Sequence, residues 1–245
     1  MKVLGICSYK GTNYYGWQKQ VGFISVQEKI EECLSKVYDS PINIQGSGRT
    51  DAGVHALKQY FHYVSDKEKD LKQLAYSLNK MLPDDIKIIS FTEVDDDFHA
   101  RYNAKRKIYE YRILLTNKDP LSFDLAYIYP MDLNIDLFKE ALNKFVGTHN
   151  YQDFTSKEED EGNFIRTIYS IDVIKENDLL RVVFNGNGFM RYQIRNMIGA
   201  AINVANSKEP LEFIESHLKE DKTKREIIAY KAPASGLYLV DVLYK

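Results

Sequence analysis

Apolar and polar positions along the first ~95 residues follow two alternating periods. Period-two runs predict strands, and apolar residues spaced three and four apart predict amphipathic helices. Ser25 followed by Glu28 has the pattern of a capping box, and Asp70 is placed to cap a second helix. The predicted elements are strands at 2–9, 42–45, 54–64 and 86–94 and helices at 26–38 and 71–82. Their β-α-β-β-α-β order is ferredoxin-like.

The second half of the chain repeats this alternation. Asn177-Asp178 separates two apolar runs and predicts a hairpin turn, and Gly147 has the position of a helix C-terminal cap. The final run is apolar on both faces except at Asp241, which predicts a strand inside a sheet. The predicted elements are strands at 107–115, 126–129, 167–174, 179–184 and 237–244, and helices at 135–146, at 189–205 and from Pro210.

These patterns predict an α/β fold of the α+β type, built from two ferredoxin-like halves with mostly antiparallel sheets. We expect the halves to span 1–104 and 105–245, with a binding cleft between them. The segments 155–163 and 219–235 are the expected mobile loops. The sequence of 245 residues contains no short-period repeat.

Composition narrows the functional class only slightly. A hydrophobic fraction of 44% and a net charge of −2 are ordinary for a globular protein. Cys7 and Cys33 form neither a disulfide framework nor a metal motif, and the N-terminus resembles no signal peptide, so a reducing cytosol is expected. Residues 99–112 carry five Lys or Arg against one Glu, a local charge that suits phosphate binding or a solvated surface.

The segment 45–55, QGSGRTDAGVH, is the most unusual part of the chain. It has three possible roles: a phosphate cradle, a tight structural turn, or a loop that presents Asp51 for catalysis. The glycine spacing is wrong for a P-loop, whose lysine is also missing, and a strand follows rather than a helix. The second glycine-rich segment, 185–191, lacks the third glycine of a dinucleotide fingerprint.

Other catalytic arrangements find less support. Asp51, His55, His62 and His99 have no zinc-ligand spacing, and no nucleophile-elbow motif is present. A carboxylate held by a rigid glycine loop could be a nucleophile or a general base, and an arginine partner would keep it ionised. Arg191 and Arg195, four residues apart on the predicted helix, are the candidate partners. The alternative is an Asx-turn aspartate that only caps the loop.

Six segments of the chain together carry a resemblance to one known family. They are 46–56, GSGRTDAGVHA; 9–12, YKGT, with 15–18, YGWQ, and Val26-Gln27; 98–102, FHARY; 107–111, KIYEY; 188–191, GFMR, with 195–199, RNMIG; and 232–239, APASGLYL. In these segments the chain resembles the TruA-type tRNA pseudouridine synthases. The resemblance covers essentially the whole chain, and its most specific part is the Gly-Arg-Thr-Asp-Ala-Gly core.

The resemblance implies isomerisation of uridine to pseudouridine in the tRNA anticodon arm, at positions 38, 39 and 40, by a cytoplasmic homodimer without metal or organic cofactor. It implies that Asp51 is the nucleophile, attacking C1′ or C6, and that Tyr109 stacks on the uracil. Arg195 would pair with the carboxylate, and Arg49 would support the loop and the RNA backbone. The same chemistry on ribosomal RNA, or non-catalytic RNA binding, are the alternatives; the lack of an RNP1-like stretch speaks against the latter.

Overall fold

The computed structural model describes residues 1–156, 163–219 and 225–245. The chain divides into two compact units, one formed by residues 1–105 and 238–245 and the other by 106–237. The sequence predicts a second half of 105–245, whereas residues 238–245 group with the first unit. Within the described residues, no helix is both long and apolar enough to cross a membrane.

The first unit has the predicted ferredoxin-like order. Its elements within residues 1–105 are β1 (Lys2–Tyr9), α1 (Val26–Tyr38), β2 (Gln45–Gly46), β3 (His55–Val64), α2 (Leu71–Met81) and β4 (Ile86–Val94). Strands β4, β1 and β3 are consecutive antiparallel neighbours, and β2 pairs antiparallel with the other edge of β3. This β4-β1-β3-β2 sequence of neighbours is the order expected of a split β-α-β unit.

Local sequence signals determine where the two helices of this unit begin. The side chain of Ser25 accepts a hydrogen bond from the backbone N–H of Glu28, and Asp70 accepts from Lys72 and Gln73. These side chains satisfy N–H groups that a helix leaves without an internal partner. Both caps were predicted from the sequence, and both helices begin at the expected residue.

The second unit is also a mostly antiparallel sheet with helices. Its elements are β5 (Arg106–Leu114), β6 (Tyr127–Ile128), α3 (Ile135–Asn143), β7 (Gly147–Asn150), β8 (Ile165–Glu176), β9 (Leu179–Gly186), α4 (Gln193–Ala205) and α5 (Glu212–His217). Strands β5, β9, β8 and β7 are consecutive antiparallel neighbours, and β6 runs parallel to β5. Helix α3 packs against α4. The β8–β9 turn falls at the predicted dipeptide, where Asn177 has φ +54°.

Three helix boundaries in this unit differ from the sequence prediction. Helix α3 ends at Asn143, and Gly147, expected to cap it, begins β7 instead. Helix α4 begins at Gln193 because Tyr192 adopts a left-handed conformation with φ +63°. Arg191 therefore precedes the helix and does not share its face with Arg195. Helix α5 begins at Glu212, two residues after Pro210. The expected mobile loops lie partly outside the described residues.

The final strand, β10 (Leu237–Leu243), pairs parallel with β3 in the first unit. Tyr238 stacks on His55 with ring centroids 4.6 Å apart. Asp241, the one charged residue of the strand, accepts hydrogen bonds from Lys58 Nζ and the Tyr60 hydroxyl, both at 2.8 Å. These partners lie on β3, so the carboxylate is satisfied within the same sheet.

Candidate active site

The loop between β2 and β3 is fastened to β3 at its first half. The backbone N–H of Ser47 donates to the carbonyl of Tyr60 at 2.7 Å, and its hydroxyl donates to Gln59 Oε1 at 2.7 Å. Gln59 in turn donates to the carbonyl of Gly48 at 2.9 Å. Ser47 and Gln59 are fully buried. Because buried polar groups are expensive to leave unpaired, this network holds the loop in one conformation.

The residue before Asp51 is held by the last residue of β1 and by the segment that follows this strand. Thr50 Oγ1 lies 2.8 Å from the Tyr9 hydroxyl, and its carbonyl accepts from the N–H of Trp17 at 3.1 Å. Gly16, at φ +86°, passes so close that a Cβ there would lie 2.4 Å from the Thr50 carbonyl oxygen. Only glycine combines this φ with this approach.

The turn that contains Asp51 is closed on its C-terminal side as well. The N–H of Val54 donates to the Asp51 carbonyl at 3.1 Å, and Gly53, at φ +79°, donates to the Tyr14 carbonyl at 3.3 Å. The Asp51 residue itself is half-buried. Its backbone is thus fixed from both sides while its side chain is neither fully enclosed nor fully exposed. This geometry suits a carboxylate that must be presented in one orientation.

Arg49 lies on the outer side of the same loop. Its side chain is exposed, and Nε donates to Gln18 Oε1 at 3.2 Å. The guanidinium thus connects the loop to the 10–24 segment at the surface. Such a position is compatible with bracing the loop and with meeting a phosphate, the two roles that the sequence resemblance implies.

Tyr109 lies on β5 in the second unit and is only 8% exposed. It pairs across the sheet with Phe184 of β9, and its ring meets that of Phe189 edge-on at a centroid distance of 5.3 Å. An edge-to-face contact of this kind orients an aromatic ring as well as burying it. Tyr109, Tyr111 and Ile113 alternate along β5 and are all buried, so they share one face of the strand.

The neighbouring Glu110 forms a buried charge network. It accepts from Arg112 Nε at 2.6 Å and from Arg181 Nη2 at 2.6 Å. Burial acts to raise the pKa of this carboxyl, but the hydrogen bonds from Arg181 and Arg112 outweigh it and lower the pKa below its ordinary value. Glu110 is therefore ionised at neutral pH and ties β5 to β9.

Arg195 lies in the first turns of α4 in the second unit and is 9% exposed. Its Nε donates to the carbonyl of Ala232 at 2.7 Å, and its backbone carbonyl accepts from the N–H of Ala232 at 3.1 Å. The side chain and backbone of one residue thus hold the segment that precedes β10. This double anchor fixes the base of the guanidinium.

The described units thus place Arg49 and Asp51 on one loop of the first unit, and Tyr109 and Arg195 in the second. Sequence reasoning did not single out Tyr9, which fixes the loop, or Tyr192, around which three cations converge. An aromatic between Arg191 and Arg195 was the available signal for Tyr192. Among the described residues, no three His, Cys, Asp or Glu side chains are arranged to hold a metal ion.

We compared the chain with known protein families, and one family model matches most of it, including the Asp51 loop. A family model described as tRNA pseudouridine synthase matches residues 6–103 and 141–245, a range that includes the Asp51 loop and α4. The chain therefore belongs to the tRNA pseudouridine synthase family.

Its curated relatives narrow the class further, because they carry the name tRNA pseudouridine synthase A. The protein from Thermoanaerobacter sp. (strain X514) is 36% identical over 99% of both chains. The one from Streptococcus gordonii is 38% identical over 98% of this chain and 97% of its own. That from Mycoplasmoides gallisepticum is 37% identical over 97% and 89%.

A solved structure, described as a Cbf5-Nop10-Gar1 complex, aligns with 81% of this chain and 54% of its own. The TM-score of this alignment is 0.36 and the sequence identity is 12%.

Proposed function

We propose that this protein isomerises uridine to pseudouridine in the anticodon arm of tRNA, at positions 38, 39 and 40. In this reaction the bond between N1 of uracil and C1′ of ribose breaks, and C5 is joined to C1′ of the same nucleotide. The proton on C5 is lost and N1 gains one, so the product is an isomer of the substrate. Family membership supports the general activity, and the positions rest on the sequence resemblance.

Asp51 is the proposed nucleophile, and the geometry of its loop is the observation that carries the proposal. Hydrogen bonds to Thr50, Asp51 and Gly53 fix the backbone on both sides of the carboxylate. A nucleophile that is already oriented avoids much of the entropic penalty of reaching the reactive geometry. An ionised carboxylate can form a covalent bond to either C1′ or C6.

Tyr109 is the proposed stacking partner of the target uracil and a candidate to assist proton removal from C5. A uridine within a stem is reachable only after it leaves the base stack, at an expense of a few kcal/mol. Stacking on an aromatic ring stabilises the flipped base by roughly 1–3 kcal/mol. The edge contact from Phe189 supports this role because it holds the ring in place.

Arg195 is the proposed partner of the catalytic carboxylate, and Arg49 supports the loop and contacts the RNA backbone. Arginine carries five N–H donors, so the bond from Arg195 to Ala232 does not exhaust its capacity. A paired guanidinium would keep Asp51 ionised at neutral pH. The active form is proposed to be a cytoplasmic homodimer that needs no cofactor, as the resemblance implies.

The decisive experiment measures tritium release from tRNA labelled at C5 of uridine, for wild type and Asp51→Asn. We expect no detectable release by the variant, with unchanged tRNA affinity and an unchanged melting temperature. Asp66→Asn, on an exposed aspartate of the same unit, is the matched control and should behave as wild type. Wild-type turnover by Asp51→Asn would exclude the nucleophile assignment.

The positions are tested separately by mapping pseudouridine in tRNA transcripts in which uridine 38, 39 or 40 is replaced in turn. We expect product at each of these positions that retains uridine. Product confined to other uridines, or to ribosomal RNA, would keep the chemistry and refute the proposed substrate. Binding without release from any RNA would refute the activity.

A further inference from the structure

Three cationic side chains converge on the ring of Tyr192 at the start of α4. Lys231 Nζ lies 4.2 Å from the ring centroid, and the guanidinium carbons of Arg191 and Arg195 lie at 4.9 and 5.3 Å. One such contact is a common stabilising feature. Three cations around one ring concentrate positive charge in a small volume. Stabilising the ring would need only one of them.

The backbone holds Tyr192 in this position despite its conformation. With φ +63° and ψ −2°, the residue lies in the left-handed region, which is unfavourable for a side chain of this size. The preceding carbonyl, that of Arg191, accepts from Thr155 Oγ1 at 2.8 Å. The following residue, Gln193, accepts from the N–H of Met190 at 2.9 Å. The turn is therefore fixed on both sides, and the ring is directed to where the cations meet.

Electrostatics opposes the convergence of three like charges. All three cations lie within 5.3 Å of one centroid. Like charges at such separations repel one another. An anionic group that bound there would reverse the sign of this contribution. Arg195 is the proposed partner of Asp51, whereas Arg191 and Lys231, on the same ring, are exposed.

We propose that Arg191 and Lys231 bind backbone phosphates of the tRNA next to the target nucleotide, with Tyr192 as the spacer between them. This inference rests on the proposed function, because it is Arg195 that relates the cluster to the reacting nucleotide. A guanidinium recognises phosphate through paired hydrogen bonds, and an ammonium does so as a point charge. A polyanion with regularly spaced charges can engage both at once, whereas a single free phosphate need not.

The test measures the salt dependence of tRNA affinity for wild type, Arg191→Gln and Lys231→Gln between about 50 and 200 mM salt. Each lost phosphate contact should reduce the slope of log affinity against log salt by roughly 0.7 to 0.9. Lys231→Arg, which keeps the charge, should restore the wild-type slope. Lys80→Gln is the matched control, since Lys80 also lies over a tyrosine ring, that of Tyr76 at 5.6 Å.

Slopes that match wild type in both glutamine variants, or that change equally in Lys80→Gln, would overturn the inference. Inorganic phosphate at constant ionic strength should leave tRNA bound. If inorganic phosphate binds wild type but not Lys231→Gln, while neither glutamine variant changes the salt slope of tRNA binding, the cluster is a site for free phosphate and the inference is wrong. Tritium release by wild type on the same tRNA tests the proposed function independently of these slopes.

Discussion

The hydroxyl of Tyr9, at the end of β1, lies 2.8 Å from Thr50 Oγ1, and both groups are buried. This single contact connects the first strand of the sheet to the residue before Asp51. Tyr9 also packs near Trp17, whose N–H donates to the Thr50 carbonyl. The position of the proposed nucleophile thus depends on Tyr9 and Trp17, which precede Thr50 by 41 and 33 residues, on elements that the core holds rigid.

We predict that Tyr9→Phe lowers the free energy of unfolding by roughly 1–3 kcal/mol, since it leaves the buried Thr50 hydroxyl without this partner. Chemical denaturation measures the change. Thr50→Val and the double variant complete a cycle that isolates the pair. The double variant should lose less than the sum of the two single losses. Strict additivity would show that the two hydroxyls do not interact.

Gly16 and Gly22 offer a matched pair for testing how the loop is supported. Both have positive φ, +86° and +82°, but a Cβ at Gly22 meets nothing within 4 Å, whereas one at Gly16 lies 2.4 Å from the Thr50 carbonyl oxygen. Gly22→Ala should lower the free energy of unfolding only by the backbone penalty of about 1–2 kcal/mol. Gly16→Ala should lower it clearly more and should also reduce tritium release. If thermal and denaturant unfolding showed the same loss of stability for both variants, the close approach to Thr50 would be unimportant.

Local sequence signals were sufficient for much of the first unit. Strands β1 and β4 have the predicted bounds, and α1 begins after the predicted cap, Ser25. Each of these elements is specified by its own periodicity and its own terminal residues. Such local signals could not predict the pairing partner of β10, because parallel pairing with β3 joins positions 183 residues apart, such as Tyr238 and His55. An apolar sequence pattern predicts that a strand is buried, but it does not predict which strand lies next to it.

The second unit shows the same limit in its helix ends. Gly147 is a good capping residue, yet the chain leaves α3 after Asn143 and uses the glycine, at φ +118°, to begin β7. Tyr192 gave no indication of a left-handed residue, because such a conformation in a tyrosine is imposed by surrounding contacts rather than by propensity. The glycine loop and its central carboxylate were recognisable from sequence. The hydroxyl of Tyr9 beneath that loop was not, since nothing local relates position 9 to position 50.

The ion pairs of Glu110 with Arg112 and Arg181 should make the free energy of unfolding depend on pH in the acidic range. Because Arg181 and Arg112 lower the pKa of this carboxyl, its contribution is present above the ordinary pKa of 4.5 and is lost as pH falls below it. Glu110→Gln should lose roughly 1.5–3 kcal/mol at neutral pH, and the difference from wild type should shrink in acid. Glu176→Gln is the control, since Glu176 is exposed and meets the same Arg181 at 3.3 Å; it should change stability by less than about 1 kcal/mol. A pH-independent difference for Glu110→Gln would contradict this account.

His62 on β3 should affect stability over a higher pH range. Burial, with smaller contributions from His99 and Lys2, lowers its pKa from 6.5 to about 4. Its Nδ1 accepts from the N–H of Ala100 at 3.2 Å, a bond that requires an unprotonated nitrogen. Between about pH 4 and 6.5 the unfolded chain therefore binds a proton that the folded chain does not, so stability falls as pH falls through this range.

His62→Asn tests this, because the amide oxygen can take the place of Nδ1 as acceptor and does not titrate. Denaturant unfolding at a series of pH values should show a shallower loss of stability for the variant between pH 6.5 and 4 than for wild type. Any part of the stability difference between variant and wild type that is the same at all pH values reflects lost packing. The difference at pH 8, where His62 is unprotonated in both states, measures this part. Other groups that titrate in the same range are common to both proteins, so they cancel in the difference. Parallel curves for the two proteins would show that His62 has the same pKa folded and unfolded.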